Sequence, residues 1–244
     1  MAIKTVIASG KGGVGKSTIA KNLGLLFASQ GKRTLLIDCD AGLSSLDIML
    51  GVAESVNFTW SDIADGNCET SDALIKINDF LTLIPSPRAP LTEDYAEIIG
   101  ILTKELDAEY DYIFIDAPAG VGRGLRRAAS AAEKALIVAT ADEVSVKGAA
   151  TVESVLKDNG ISDSRLLINR YDVKAAKKGR LLTIDEIIDK TTVQLIGIIP
   201  EEKNIMYSTV AEKKLKTKKS DGAFFRISMR IEGKYIPLEL SQLK

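Results

Sequence analysis

Gly10-Lys11-Gly12-Gly13-Val14-Gly15-Lys16-Ser17-Thr18 fits the pattern GxxxxGK(S/T). The apolar run Thr5–Ala8 precedes it and a helix-length segment, Ser17–Ser29, follows it. Strand, glycine-rich turn, then helix is the context in which this pattern binds phosphate. Glycines let backbone N–H groups turn inward around phosphate oxygens, where side chains would block the approach. A helix opening near Lys16 adds its positive N-terminal end. Gly10, Gly12, Gly13, Val14 and Gly15 are therefore the candidate cradle. Lys16 is expected to reach the β- and γ-phosphates, Ser17 to ligate Mg2+, and Thr18 to lie beside the α-phosphate. A GxGxxG dinucleotide turn fits less well, because Lys-Ser after the last glycine belongs to phosphate loops.

Further apolar runs of strand length lie downstream, at Thr34–Ile37, Leu81–Ile84, Tyr112–Ile115, Ala135–Ala139, Leu166–Ile168 and Leu195–Ile199. Most are continuous rather than alternating, as in strands buried on both faces of a parallel sheet. Helix-length segments lie between several of them, at Glu93–Leu106, Gly124–Ala132 and Val144–Lys157. This alternation predicts an α/β fold, with one doubly wound, mostly parallel sheet and helices on both faces. The proline cluster Pro85–Pro90 reads as the loop after one strand. Residues 1–244 are therefore expected to form a single domain.

Composition removes several function classes. Lysine and arginine number 32 against 33 acids, a formal net charge of −1, which argues against a globally basic nucleic-acid coat. No histidine is present, so histidine triads, histidine metal ligands and histidine pH switches are excluded. Cys39 and Cys68 form no CxxC, so neither a disulfide framework nor an iron–sulfur cluster is expected. Met1-Ala2-Ile3-Lys4 lacks the marks of a signal peptide, and no apolar stretch reaches spanning length. A soluble, reduced, cytoplasmic protein is the expectation.

Polar residues close the apolar runs where an open α/β sheet binds its ligands. Asp38 and Asp40 follow Leu35-Leu36-Ile37, and their i, i+2 spacing places both on one side of an extended segment. Asp40 is a candidate to orient the attacking water, and Asp38 a candidate near Mg2+ and that water. Asp116 closes Tyr112-Ile113-Phe114-Ile115 in a Walker B pattern and is a candidate to hold Mg2+ directly or through water. Pro118 and Gly120 after it suit a loop that moves when the γ-phosphate leaves. Asn169 closes Leu166-Leu167-Ile168 and offers a donor and an acceptor to a base edge. Asn169-Arg170-Tyr171-Asp172 loosely imitates the GTPase motif NKxD, but the lysine is missing, and ATP is the preferred reading over GTP.

Lys11, a second lysine at the front of the loop, gives KGGVGKST. In this the chain resembles the MinD/ParA family of deviant Walker A ATPases. The resemblance runs from Ile3 to about Leu238. It implies that Lys11 crosses an ATP-sandwich homodimer to the partner's nucleotide, acting in catalysis with Lys16, Asp38 and Asp40. Ala41–Asp47 and Ala117-Pro118-Ala119-Gly120 look like the family's two switch segments. By the same resemblance Asn169 reads adenine beside Arg170, and Pro200-Glu201 closes the other side of the base. Family members that bridge a cluster carry a cysteine pair absent here. Asp38–Leu43, Asp116–Gly120 and Asn169–Tyr171 look most like the MinD group. The implied function is a spatial switch in division-site placement. ATP and Mg2+ would drive dimerisation, slow hydrolysis to ADP would reset it, and a protein activator or effector would stimulate it. A ParA-like DNA or plasmid partition ATPase and a flagellar-number regulator remain as alternatives.

The C-terminal stretch departs from that pattern. MinD proteins end in a basic amphipathic helix, whereas Pro237 breaks any helix here and seven residues follow it. Phe224, Ile227 and Ile231 in Ala223–Ile231 follow i, i+3, i+7, which predicts core packing. Lys213, Lys214, Lys216, Lys218 and Lys219 form a basic run. It is a candidate contact for anionic lipid, which would place the protein peripherally at the inner membrane face, or for DNA.

Overall fold

In the computed structural model, which describes residues 1–91, 95–202 and 218–238, the apolar runs become strands buried on both faces. They are β1 (Ile3–Ala8), β2 (Thr34–Asp38), β4 (Leu81–Ile84), β5 (Tyr112–Asp116), β6 (Lys134–Ala139), β7 (Asp163–Tyr171) and β8 (Leu195–Pro200). A further strand, β3 (Ile75–Asn78), lies outside the expected set. Its Ile-Lys-Ile-Asn alternation, with every second residue exposed, belongs to a sheet edge with one solvated face. All eight form one sheet in the order β3-β4-β2-β5-β1-β6-β7-β8. Among the described residues only the β3–β4 pair is antiparallel.

Consecutive residues of each strand face opposite layers, so the core is divided in two by the sheet. On one side Ile7, Leu36 and Phe114 pack under α1 (Lys16–Ser29). Phe27 of that helix lies 4.3 Å from the Tyr112 ring and 5.5 Å from Phe114. On the other side Val6, Leu35, Ile113 and Ile115 pack under α4 (Ile98–Glu105), α5 (Arg123–Ser130), α6 (Glu143–Asp158) and α8 (Ile184–Thr191). Among the described residues the connections also carry the short α-helices α2 (Leu46–Met49), α3 (Trp60–Ala64) and α7 (Val173–Lys177). Helix α4 is shorter than the expected Glu93–Leu106. Tyr95 lies in the segment before it, its ring edge-on to Trp60 and its hydroxyl donating to Asp65.

The last described helix, α9 (Lys218–Ile231), packs beside α1, with Phe224, Ile227 and Ile231 buried as their spacing predicts. Burying side chains of this size contributes about 1.5–3 kcal/mol each. A Cβ at Gly197 would stand 2.4 Å from Ile227, so β8 admits this helix only with glycine there. The Arg230 guanidinium then donates to the carbonyls of Ile196, Ile236 and Pro237, which holds the following segment against β8. Among the described residues no helix is long and apolar enough to cross a membrane.

Candidate nucleotide site

The carboxyl ends of β1, β2, β5, β6 and β7 gather the polar residues singled out above. Between β1 and α1 the loop passes α6 so closely that a Cβ on Gly10 would lie 2.4 Å from the Gly148 carbonyl oxygen. Gly13 and Gly15 take φ of +74° and +97°, a region that side chains disfavour. Lys16 is buried and Ser17 and Thr18 are half-buried at the mouth of α1. No side chain caps α1 at Gly15, so the helix's first N–H groups are available to an anion.

Lys11 turns towards α6, where its ammonium lies 3.0 Å from Asp142 Oδ1. Asp142 caps that helix, accepting from the Ser145 N–H at 3.0 Å and from the Thr140 hydroxyl at 2.7 Å. Burial disfavours its charge, but these donors together with Lys11 outweigh burial and hold its carboxyl below the usual range. Asp142 is absent from the expected set. Thr140-Ala141-Asp142 directly after an apolar strand is the N-cap signal that points to it.

Asp38 and Asp116 stand in register on neighbouring strands. Asp38 Oδ1 accepts from the Asp40 N–H at 2.9 Å, and its Oδ2 accepts from the Ser45 and Leu46 N–H groups at 3.1 Å each. Burial pushes its pKa up to about 6 against the pull of these donors. Asp116 is fully buried, and neither carboxylate oxygen has a partner at hydrogen-bonding geometry. Burial, with the charge of Asp38 behind it, pushes Asp116 up to about 8, while the Ser17 hydroxyl and the Lys16 ammonium pull it down. Asp40 lies two residues beyond the end of β2, where its carbonyl accepts from the Leu43 and Ser44 N–H groups of the turn that follows. It is half-buried, and burial raises its pKa against the nearby Lys16 charge.

On the other side of the loop, the Asn169 amide donates to the Val14 carbonyl at 2.7 Å, and the Arg170 guanidinium to the Gly13 carbonyl at 3.2 Å. Pro200 pairs with Tyr171 at the end of β8, and the Glu201 N–H donates to the Tyr171 carbonyl. Lys213, Lys214 and Lys216 lie outside the described residues, as do the side chains of Lys218 and Lys219. Leu43, Val121 and Val144, in the segments that follow β2, β5 and β6, are exposed.

The arrangement fits a magnesium–nucleotide. Orphaned carboxylate oxygens behind Ser17 call for a cation. Among the described residues no group of three or more acids or cysteines is arranged to hold a metal alone. Mg2+ suits such a site, because it is commonly held by one or two carboxylates with phosphate oxygens completing its shell.

Residues 5–214 match the family described as the CobQ/CobB/MinD/ParA nucleotide binding domain. The chain is 35% identical to the septum site-determining protein MinD of Thermotoga maritima over 242 residues, covering 96% of this chain and 89% of the relative. It is 33% identical to the MinD of Bacillus subtilis over 243 residues, covering 96% and 91%. Among solved structures it resembles the MinC:MinD cell division protein complex of Aquifex aeolicus, with TM-score 0.88, 33% identity and 98% of both chains covered. It also resembles the MinD of Pyrococcus horikoshii complexed with Mg-ADP, with TM-score 0.83, 26% identity and 95% and 96% covered.

Proposed function

The chain belongs to the CobQ/CobB/MinD/ParA family of nucleotide-binding proteins, and on that premise we propose that it is a MinD-like ATP hydrolase working as a dimerisation switch. Its cofactors are ATP and Mg2+. The observation that carries the reading is Asp116, buried with no partner at hydrogen-bonding geometry behind Ser17 and Lys16 at an open helix N-terminus. Ser17 and Asp116 would hold the metal, which when bound neutralises charge on the phosphates. Asp38, already accepting from three N–H groups, fixes the loop that carries Asp40. Asp40 orients the attacking water, and Lys16 takes the β- and γ-phosphates. The two faces of a homodimer meet over exposed Leu43, Val121 and Val144, and Lys11 exchanges Asp142 for the partner's nucleotide.

Turnover is slow alone, because switch proteins of this kind leave the site incomplete until a partner arrives. The Aquifex relative is found in a complex with a second cell division protein, MinC. A protein effector and an output in division-site placement are the corresponding reading here. Residues 1–244 act as one unit, supported by the single sheet that takes up every described strand. The lysine run 213–219 is the proposed contact with an anionic surface, a membrane face in preference to DNA.

Light scattering with Mg-ATP tests the switch. Wild type is expected to dimerise and Lys16→Ala to stay monomeric; dimers of equal amount in both would refute it. The same samples, spun with anionic liposomes or with duplex DNA, read out the surface. Pelleting with DNA alone would shift the reading to a partition-type ATPase.

A further inference from the structure

Asn169 and Arg170 stand where the sequence places a reader of the base, yet both side chains act on the phosphate loop. Asn169 ends the apolar run of β7, is buried, and gives its amide N–H to the Val14 carbonyl at 2.7 Å. A carbonyl only accepts, so this contact fixes which end of the amide faces the loop. Arg170, at φ +55°, gives its guanidinium to the Gly13 carbonyl at 3.2 Å. The loop reaches Asn169 because residue 15 has no side chain: a Cβ on Gly15 would stand 2.5 Å from the Asn169 amide nitrogen.

No peptide bond among the described residues is cis. In a trans peptide the C=O and the following N–H point in opposite directions. Drawing the Gly13 and Val14 carbonyls towards β7 therefore aims the N–H groups of Val14 and Gly15 away from it, into the cradle. We propose that Asn169 and Arg170 are positioning residues of the phosphate loop. By holding two consecutive carbonyls they set affinity for the phosphate chain itself, whatever base is attached or none. The proposal rests on the reading of residues 10–18 as a phosphate cradle.

The test compares wild type, Asn169→Ala and Arg170→Ala by calorimetry with Mg-ADP and with Mg-tripolyphosphate, which has no base. Amide exchange across residues 12–16 is followed in the nucleotide-free chain. Asn169→Ala is expected to weaken both ligands by about the same factor, roughly tenfold, the loss for one buried hydrogen bond. Arg170→Ala, which loses a longer and exposed bond, is expected to weaken both by about threefold. Exchange should rise in the loop and stay unchanged in the strands. Loss of ADP affinity alone, with tripolyphosphate binding and loop exchange as in wild type, would overturn the proposal and leave Asn169 a base reader. Should Asn169→Ala lose protection throughout the fold, Arg170→Ala decides: parallel losses support the clamp and unchanged affinities refute it. Wild type binding neither ligand would instead sink the cradle reading.

Discussion

Asp38 and Asp116 face each other across the β2–β5 pair, both sealed from water, in different surroundings. The end of β2 is closed on itself. The Asp38 carboxylate accepts from three backbone N–H groups, and its carbonyl accepts from the Trp60 indole at 2.8 Å. Two of those N–H groups open α2, so Asp38 serves as a cap supplied by the strand that precedes the helix. The end of β5 is left open. The Asp116 carbonyl takes the Cys39 N–H, but its carboxylate has no partner at hydrogen-bonding geometry. A buried unpaired carboxylate costs stability, and a fold keeps one where a ligand completes it. Identical residues at equivalent strand ends therefore divide the work: one holds a loop, the other waits for a cation.

The largest expected effect breaks the open end. Asp116→Ala should lower Mg-dependent ATP hydrolysis by about 100-fold or more, measured as phosphate release, because it removes the buried carboxylate that stands behind Ser17. Next comes the closed end. Asp38→Asn places an amide N–H among backbone donors and should cost on the order of 2 kcal/mol in urea unfolding. Proteolysis should then cut first near Leu43, which the loop exposes. The smallest effect sharpens the picture of that loop. Ser44 holds φ +30° with its hydroxyl buried and unpartnered, so Ser44→Gly should stabilise the fold by about 0.5–1 kcal/mol in the same assay.

The sequence reveals the phosphate loop because backbone geometry there demands glycine, and demand for one residue type leaves a visible mark. It reveals the buried strands because both faces are apolar, and α9 because Phe224, Ile227 and Ile231 keep a helical spacing. Long-range pairings leave no such mark. Lys11 meets Asp142 across 131 residues, and Asn169 meets Val14 across 155. The first depends on β1 lying beside β6, which only the strand order supplies. Strand β3 escapes because half of its residues are polar, as an edge permits. The contrast between Asp38 and Asp116 is equally hidden. Both read as an acid after an apolar run, and only the turn that brings Ser45 and Leu46 back to Asp38 separates them.

Thermal unfolding of wild type and Asp116→Asn at pH 8, each with and without Mg-ADP, tests this division of work most directly. Asp116 is raised from the ordinary carboxylate range to about 8 in the fold. Between those values the native state binds more protons than the unfolded chain, so its contribution to stability falls as pH rises and is spent near pH 8. Asparagine carries no such penalty. Without ligand the variant is expected to melt higher than wild type, and with Mg-ADP the order should reverse, since only wild type has the carboxylate that the metal completes. A variant no more stable than wild type alone, or one that gains equally from Mg-ADP, would contradict the account.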